Sequence, residues 1–129
     1  MSKKFLIVLA NYYKDIGEGL LKSALKNIPK SSYVKIIKVP GVFEIPVTIS
    51  KNLKKFDAFL ALGCVIKGQT PHFDFISQAS TNAIMDISVS QKKPVGNGII
   101  TCLNMKQAKA RKGKGAEAAM AVVSILSQK

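Results

Sequence analysis

Asp57-Ala-Phe-Leu-Ala-Leu-Gly-Cys-Val-Ile-Lys-Gly-Gln-Thr-Pro-His-Phe-Asp-Phe75 is the stretch that decides the fold. From Ala58 to Ile66 it is a nearly unbroken apolar run. Too short for a membrane span and too apolar on both faces for a half-exposed strand, the run predicts a central parallel strand. Lys67-Gly68-Gln69-Thr70 then makes a polar turn; Thr70 suits an N-cap and Pro71 the first helical position, so a helix is predicted to begin there. In open α/β sheets ligands bind outside the carboxyl ends of the strands, and the free N–H groups of a helix start suit phosphate. His72, the single histidine of the chain, falls in that first turn.

Upstream, Lys4 to Ala10 reads as another strand buried on both faces, followed by the loop Asn11-Tyr12-Tyr13-Lys14. Asp15 and Glu18 have the spacing of a capping box, and Ile16, Leu20, Leu21, Ala24, Leu25 and Ile28 recur at helical intervals until Pro29. Tyr33 to Val39 is a second strand. Val42-Phe43-Glu44 lies at its carboxyl end, and a short helix is predicted over 45–53 with Pro46 in its first turn. Downstream, a long helix runs from Pro71 to Gln91, and a fourth strand from Pro94 to Cys102 is interrupted by Gly96-Asn97-Gly98, where close approach to the backbone is expected. A short helix from Asn104 to Arg111 breaks at Lys112-Gly-Lys-Gly115. A final helix then carries the apolar stripe Ala116, Ala119, Met120, Val123 and Leu126. Alternating strands and helices imply right-handed crossovers: an α/β, flavodoxin-like three-layer sandwich with a four-stranded parallel sheet, order 2-1-3-4, and helices on both faces. Without repeats, low-complexity tracts or linkers, residues 1–129 read as a single domain.

A chain of 129 residues can bury about two-thirds of its unfolded surface. No apolar run approaches a membrane span and no leader precedes the first strand, so a soluble cytoplasmic protein is expected, without membrane association. Cys64 and Cys102 both lie in apolar strands, where buried reduced thiols are favoured over a disulfide. Twenty basic residues against seven acidic ones, a net charge of +13, raise the possibility of nucleic-acid binding. The lysines are scattered singly, without a basic arm or interleaved aromatics, so no nucleic-acid partner is expected. Arg111 is the one arginine: either the remnant of a bias towards lysine or a forked contact for an anion. His72 alone is likewise open, since a solitary surface histidine is usually inert.

Three motifs carry a family resemblance: Val39-Pro-Gly-Val-Phe-Glu-Ile-Pro46, Gly63-Cys-Val-Ile-Lys-Gly-Gln-Thr-Pro-His-Phe-Asp74 and Lys114-Gly-Ala-Glu-Ala-Ala119. In order and spacing they resemble the signatures of the lumazine synthase family of riboflavin biosynthesis, over essentially the whole chain. The resemblance implies condensation of 5-amino-6-(D-ribitylamino)uracil with 3,4-dihydroxy-2-butanone 4-phosphate, with no metal and no organic cofactor. It implies His72 as the proton-transfer residue, a role that suits the only imidazole in the chain. Gln69, Thr70, Arg111 and Lys114 fall where the family holds the phosphate; Thr70 could also serve simply as a cap. Val42, Phe43, Glu44, Cys64, Val65 and Ile66 fall where it binds the pyrimidine and its ribityl chain, with core packing as the plain alternative for Phe43. Tyr12 aligns with an aromatic residue, commonly Phe, that stacks on the ring.

There are departures. Asn97 stands where many relatives carry a Phe reaching over the ring from a neighbouring subunit. Asn11-Tyr12-Tyr13 replaces the commoner Arg-Phe-Asn, and Arg111-Lys-Gly-Lys-Gly115 is a few residues shorter than the usual link. The resemblance implies a homopentamer with active sites at subunit interfaces, in some members extended to an icosahedral shell, and association with riboflavin synthase. With no additional strand before Lys4, a pentamer rather than a shell is expected. A lumazine- or flavin-binding protein of the same fold is the competing reading, but ring stacking alone does not need His72, Thr70 and Arg111 together.

Overall fold

The computed structural model describes residues 2–128. Strand β1 (Lys4–Ala10) leads to α1 (Lys14–Leu25), β2 (Tyr33–Val39), a single 3-10 turn (Val42–Glu44) and α2 (Ile45–Lys51). Then come β3 (Ala58–Ile66), α3 (His72–Gln91), β4 (Val95–Cys102), α4 (Met105–Ala110) and α5 (Lys114–Leu126). The four strands are parallel in the order β2-β1-β3-β4. This is the flavodoxin-like sandwich expected from the alternation of periods. Among the described residues no helix is long and apolar enough to cross a membrane.

The two-sided apolar runs explain the layers. Because side chains alternate along a strand, Phe5, Ile7 and Leu9 of β1 and Leu60 and Leu62 of β3 face α1 and α5, meeting Ile16, Leu20, Ala24, Ala119 and Val122. Leu6, Val8, Phe59 and Ala61 point the other way, onto Ile45 and Ile49 of α2 and Ile84 of α3. Each fully buried large side chain contributes about 1.5–3 kcal/mol relative to exposure, so β1 and β3 dominate the core. The close approach expected at Gly96-Asn97-Gly98 comes from α5: a Cβ at Gly96 would stand 2.6 Å from the Ala118 carbonyl oxygen and 2.8 Å from Val122 Cγ2.

The structure corrects the sequence reading at helix ends. The Asp15/Glu18 capping box does not form; α1 starts at Lys14 with Tyr13 as its N-cap residue and no side-chain cap, so Asp15 already lies in the first turn. There it favours the positive end of the helix dipole. The helix ends at Leu25, before Pro29 is reached. Helix α3 starts at His72, one residue after Pro71; the Thr70 hydroxyl accepts the His72 N–H at 3.4 Å, a long bond. Helix α5 starts at Lys114, two residues before the predicted Ala116. Gly115 does not break it, because glycine is what lets α5 cross α1: a Cβ there would be 2.0 Å from the Leu20 carbonyl oxygen. Ser23 of α1 fastens the crossing by donating to the Lys112 carbonyl at 2.9 Å.

Candidate functional site

The connection after β1 passes to the α1 face of the sheet and the connection after β3 to the opposite, α3 face. Where neighbouring parallel strands diverge in this way, their carboxyl ends open a crevice. A cavity of about 590 Å³ lies there, within the range of small-molecule sites. Tyr12 and Tyr13 enter it from the β1–α1 loop, Val42, Phe43 and Glu44 from the 3-10 turn, Cys64, Val65 and Ile66 from the end of β3, and His72 and Ile76 from the start of α3.

Local packing sets these positions. Gly63 leaves room for the 3-10 turn on the sheet, since a Cβ there would lie 2.8 Å from Val42 Cγ2. With Val42 buried against β3, Phe43 is turned outward and is 63% exposed. The Glu44 N–H donates to the Gly41 carbonyl at 3.1 Å and the Glu44 carbonyl accepts from the Thr48 hydroxyl at 2.8 Å, which ties the turn to α2. Burial first, and then the adjacent Cys102 thiol, together push the Cys64 thiol up to about 12. Cys64 is therefore a neutral wall of the crevice, not a nucleophile. The Tyr13 phenol is also raised, first by burial and then by Tyr12 and Cys64. The lining is thus largely apolar, and the exposed side chains of Tyr12, Phe43 and His72 all contribute to it.

The remaining expected residues lie elsewhere. Gln69 and Thr70 are exposed in the turn after β3, whose start is held by the Lys67 N–H donating to the Cys102 carbonyl at 2.9 Å; neither lines the crevice. Asn97, Arg111 and Lys114 line a second cavity, also about 590 Å³, between β4 and the α4–α5 link. There Arg111 Nη1 donates to the Thr101 carbonyl at 3.2 Å, and Lys114 pairs with Glu117 at 3.5 Å. The Asn97 side-chain oxygen accepts the Ile99 N–H at 3.0 Å. No lining residue is common to the two cavities. Within one chain, the imidazole and the arginine do not meet.

Comparison with known proteins shows the family. The family model described as 6,7-dimethyl-8-ribityllumazine synthase matches residues 2–129. The chain belongs to that family. A 6,7-dimethyl-8-ribityllumazine synthase of Cutibacterium acnes is 40% identical over 133 residues, covering 96% of this chain and 80% of the relative. One from Agrobacterium fabrum is 39% identical over 143 residues, covering 100% of this chain and 97% of the relative. One from Bartonella bacilliformis is 43% identical over 134 residues, covering 93% and 88%.

Seen as a member of the lumazine synthase family, the chain assembles in its first crevice eight of the residues picked out from sequence: Tyr12, Val42, Phe43, Glu44, Cys64, Val65, Ile66 and His72. Sequence reasoning missed Tyr13, Gly41 and Ile76 as crevice residues. Gly41 was visible as the turn before Val42. Ile76 lies four residues after His72, one helical turn on the same face. For Tyr13 the only signal was adjacency to Tyr12.

Proposed function

We propose that the chain condenses 5-amino-6-(D-ribitylamino)uracil with 3,4-dihydroxy-2-butanone 4-phosphate to give 6,7-dimethyl-8-ribityllumazine, the penultimate step of riboflavin biosynthesis. The observation that carries this reading, beside family membership, is the crevice in which an exposed aromatic ring, a Glu-bearing turn and the single imidazole converge. The pyrimidine stacks on Tyr12, with its polar edge and ribityl hydroxyls towards Phe43-Glu44 and the end of β3. Its amine attacks the ketone carbon; the carbinolamine loses water to an imine, the phosphate leaves as a proton departs from carbon, and ring closure expels a second water. Each step moves a proton between nitrogen, carbon and oxygen, which His72 relays from the lip. Holding both reactants together supplies much of the acceleration, and no organic cofactor or metal is required by these steps.

The phosphate is held by the turn at Gln69-Thr70 and by Arg111 and Lys114 of a neighbouring subunit. Support for a shared site comes from the split itself: the cationic residues line a different cavity from His72. Large apolar side chains on the α2–α3 side, Val47, Phe75, Met85 and Val89, are all more than half exposed, as expected for surface that another subunit covers. A closed ring, a pentamer, is the assembly proposed, working in the cytoplasm, where the two free thiols stay reduced, and passing its product to riboflavin synthase. The test is direct: purified protein mixed with both substrates should develop the fluorescence of the lumazine. No fluorescence above that of the substrates alone would refute the reading.

A further inference from the structure

The loop after β1 sets two tyrosines side by side, and the function proposed above uses only the first. Tyr12 is 74% exposed: its ring stands at the mouth of the crevice with little protein around it. A ring so free would lose orientational freedom on binding a flat ligand, a cost that weakens stacking unless something holds the ring beforehand. Tyr13 is placed differently. It is half-buried, packs against the core between the sheet, α1 and α5, and lines the same crevice. Its backbone is fixed as well, the carbonyl accepting the Gly17 N–H at 2.9 Å to close the first turn of α1. The two rings meet edge to face, with centroids 4.8 Å apart and planes at 82°, the arrangement that aromatic quadrupoles favour.

We propose that Tyr13 is a positioning residue for the pyrimidine: rooted in the core on one side, its ring holds Tyr12 at a set angle so that Tyr12 meets the heterocycle already oriented. Tyr13 does not move a proton and does not touch the butanone phosphate; its effect is confined to the substrate that stacks. This rests on the condensation proposed above.

Steady-state kinetics of Tyr13→Phe, Tyr13→Leu and Tyr13→Ala on the intact assembly, each substrate varied in turn and the thermal midpoint recorded alongside, test it. Tyr13→Phe keeps the aromatic edge and should leave both KM values within about twofold of the parent. Tyr13→Leu and Tyr13→Ala should raise the KM for the pyrimidine about fivefold while the KM for the butanone phosphate stays within about twofold. Should Tyr13→Ala fail to fold, Tyr13→Leu, which fills the core position without an aromatic edge, carries the comparison. A Tyr13→Leu enzyme with the parent's KM for the pyrimidine overturns the proposal, and so does a parallel rise in both KM values. Tyr13→Phe as damaging as Tyr13→Ala also overturns it. Absence of lumazine from the unmutated protein would instead overturn the condensation, and this inference with it.

Discussion

His72 and Cys64 face one crevice and differ in what they can do there. Cys64 is held neutral by burial, so it neither attacks a carbonyl nor reacts readily with thiol reagents at neutral pH. Because its folded value of about 12 lies above the ordinary 9.0, the folded state keeps the proton more tightly; this contribution to stability is whole below pH 9.0 and is lost as pH rises towards 12. Denaturant midpoints measured from pH 8 to pH 11 should therefore fall more steeply for the parent than for Cys64→Ala; equal slopes would refute the assignment. His72→Ala should lower turnover by about tenfold or more without changing assembly. Arg111→Ala should act on the other substrate, raising the KM for the butanone phosphate roughly tenfold with little change in the KM for the pyrimidine. Steady-state kinetics with each substrate varied in turn decide both. Being the only residue of its type singled out His72 and Arg111 in the sequence, but their roles came from the family motifs and not from that singularity. Tyr13 was not singled out: its significance comes from a 4.8 Å ring contact, which no spacing rule encodes.

At the scale of elements, β1 and β3 were the easiest to read because strands buried on both faces leave continuous apolar runs. The edge strand β2 alternates less cleanly and is mostly exposed, with Lys35 and Lys38 guarding it against pairing with another sheet. Helix ends were the least legible. Asp15 and Glu18 have capping-box spacing, yet the first turn forms one residue earlier and leaves them without that role. Gly115 reads as a breaker until the backbone of α1 is seen beneath it; its constraint is tertiary, and local propensity gives way to it. Gly115→Ala should accordingly destabilise the protein by about 1–3 kcal/mol through overpacking, although alanine is the better helix former. A denaturant midpoint equal to or above the parent's would show that α1 and α5 are not pressed together as described.

For the whole molecule, topology brings the β1 and β3 loops to one crevice and carries β4, with the α4–α5 link, to another. The strand order was legible from the alternation of elements; the separation of Arg111 from His72 comes instead from α3 and the α4–α5 pair leaving the neighbouring strands β3 and β4 towards opposite faces of the sheet. Charge acts at this scale too. A net +13 with two ion pairs among the described residues leaves the lysines repelling one another, so raising the salt from about 10 mM to about 150 mM should raise the thermal midpoint by a few degrees. The central claim is that one catalytic site takes His72 from one chain and Arg111 from the next. Co-assembly of the two variants, His72→Ala and Arg111→Ala, tests it most directly by the rate of lumazine formation with the butanone phosphate held well below its parent KM, where both variants are slow. In a randomly mixed ring roughly a quarter of the sites would regain both side chains, so activity should rise well above that of either parent variant. Activity no greater than the average of the two variants would contradict a site shared between chains.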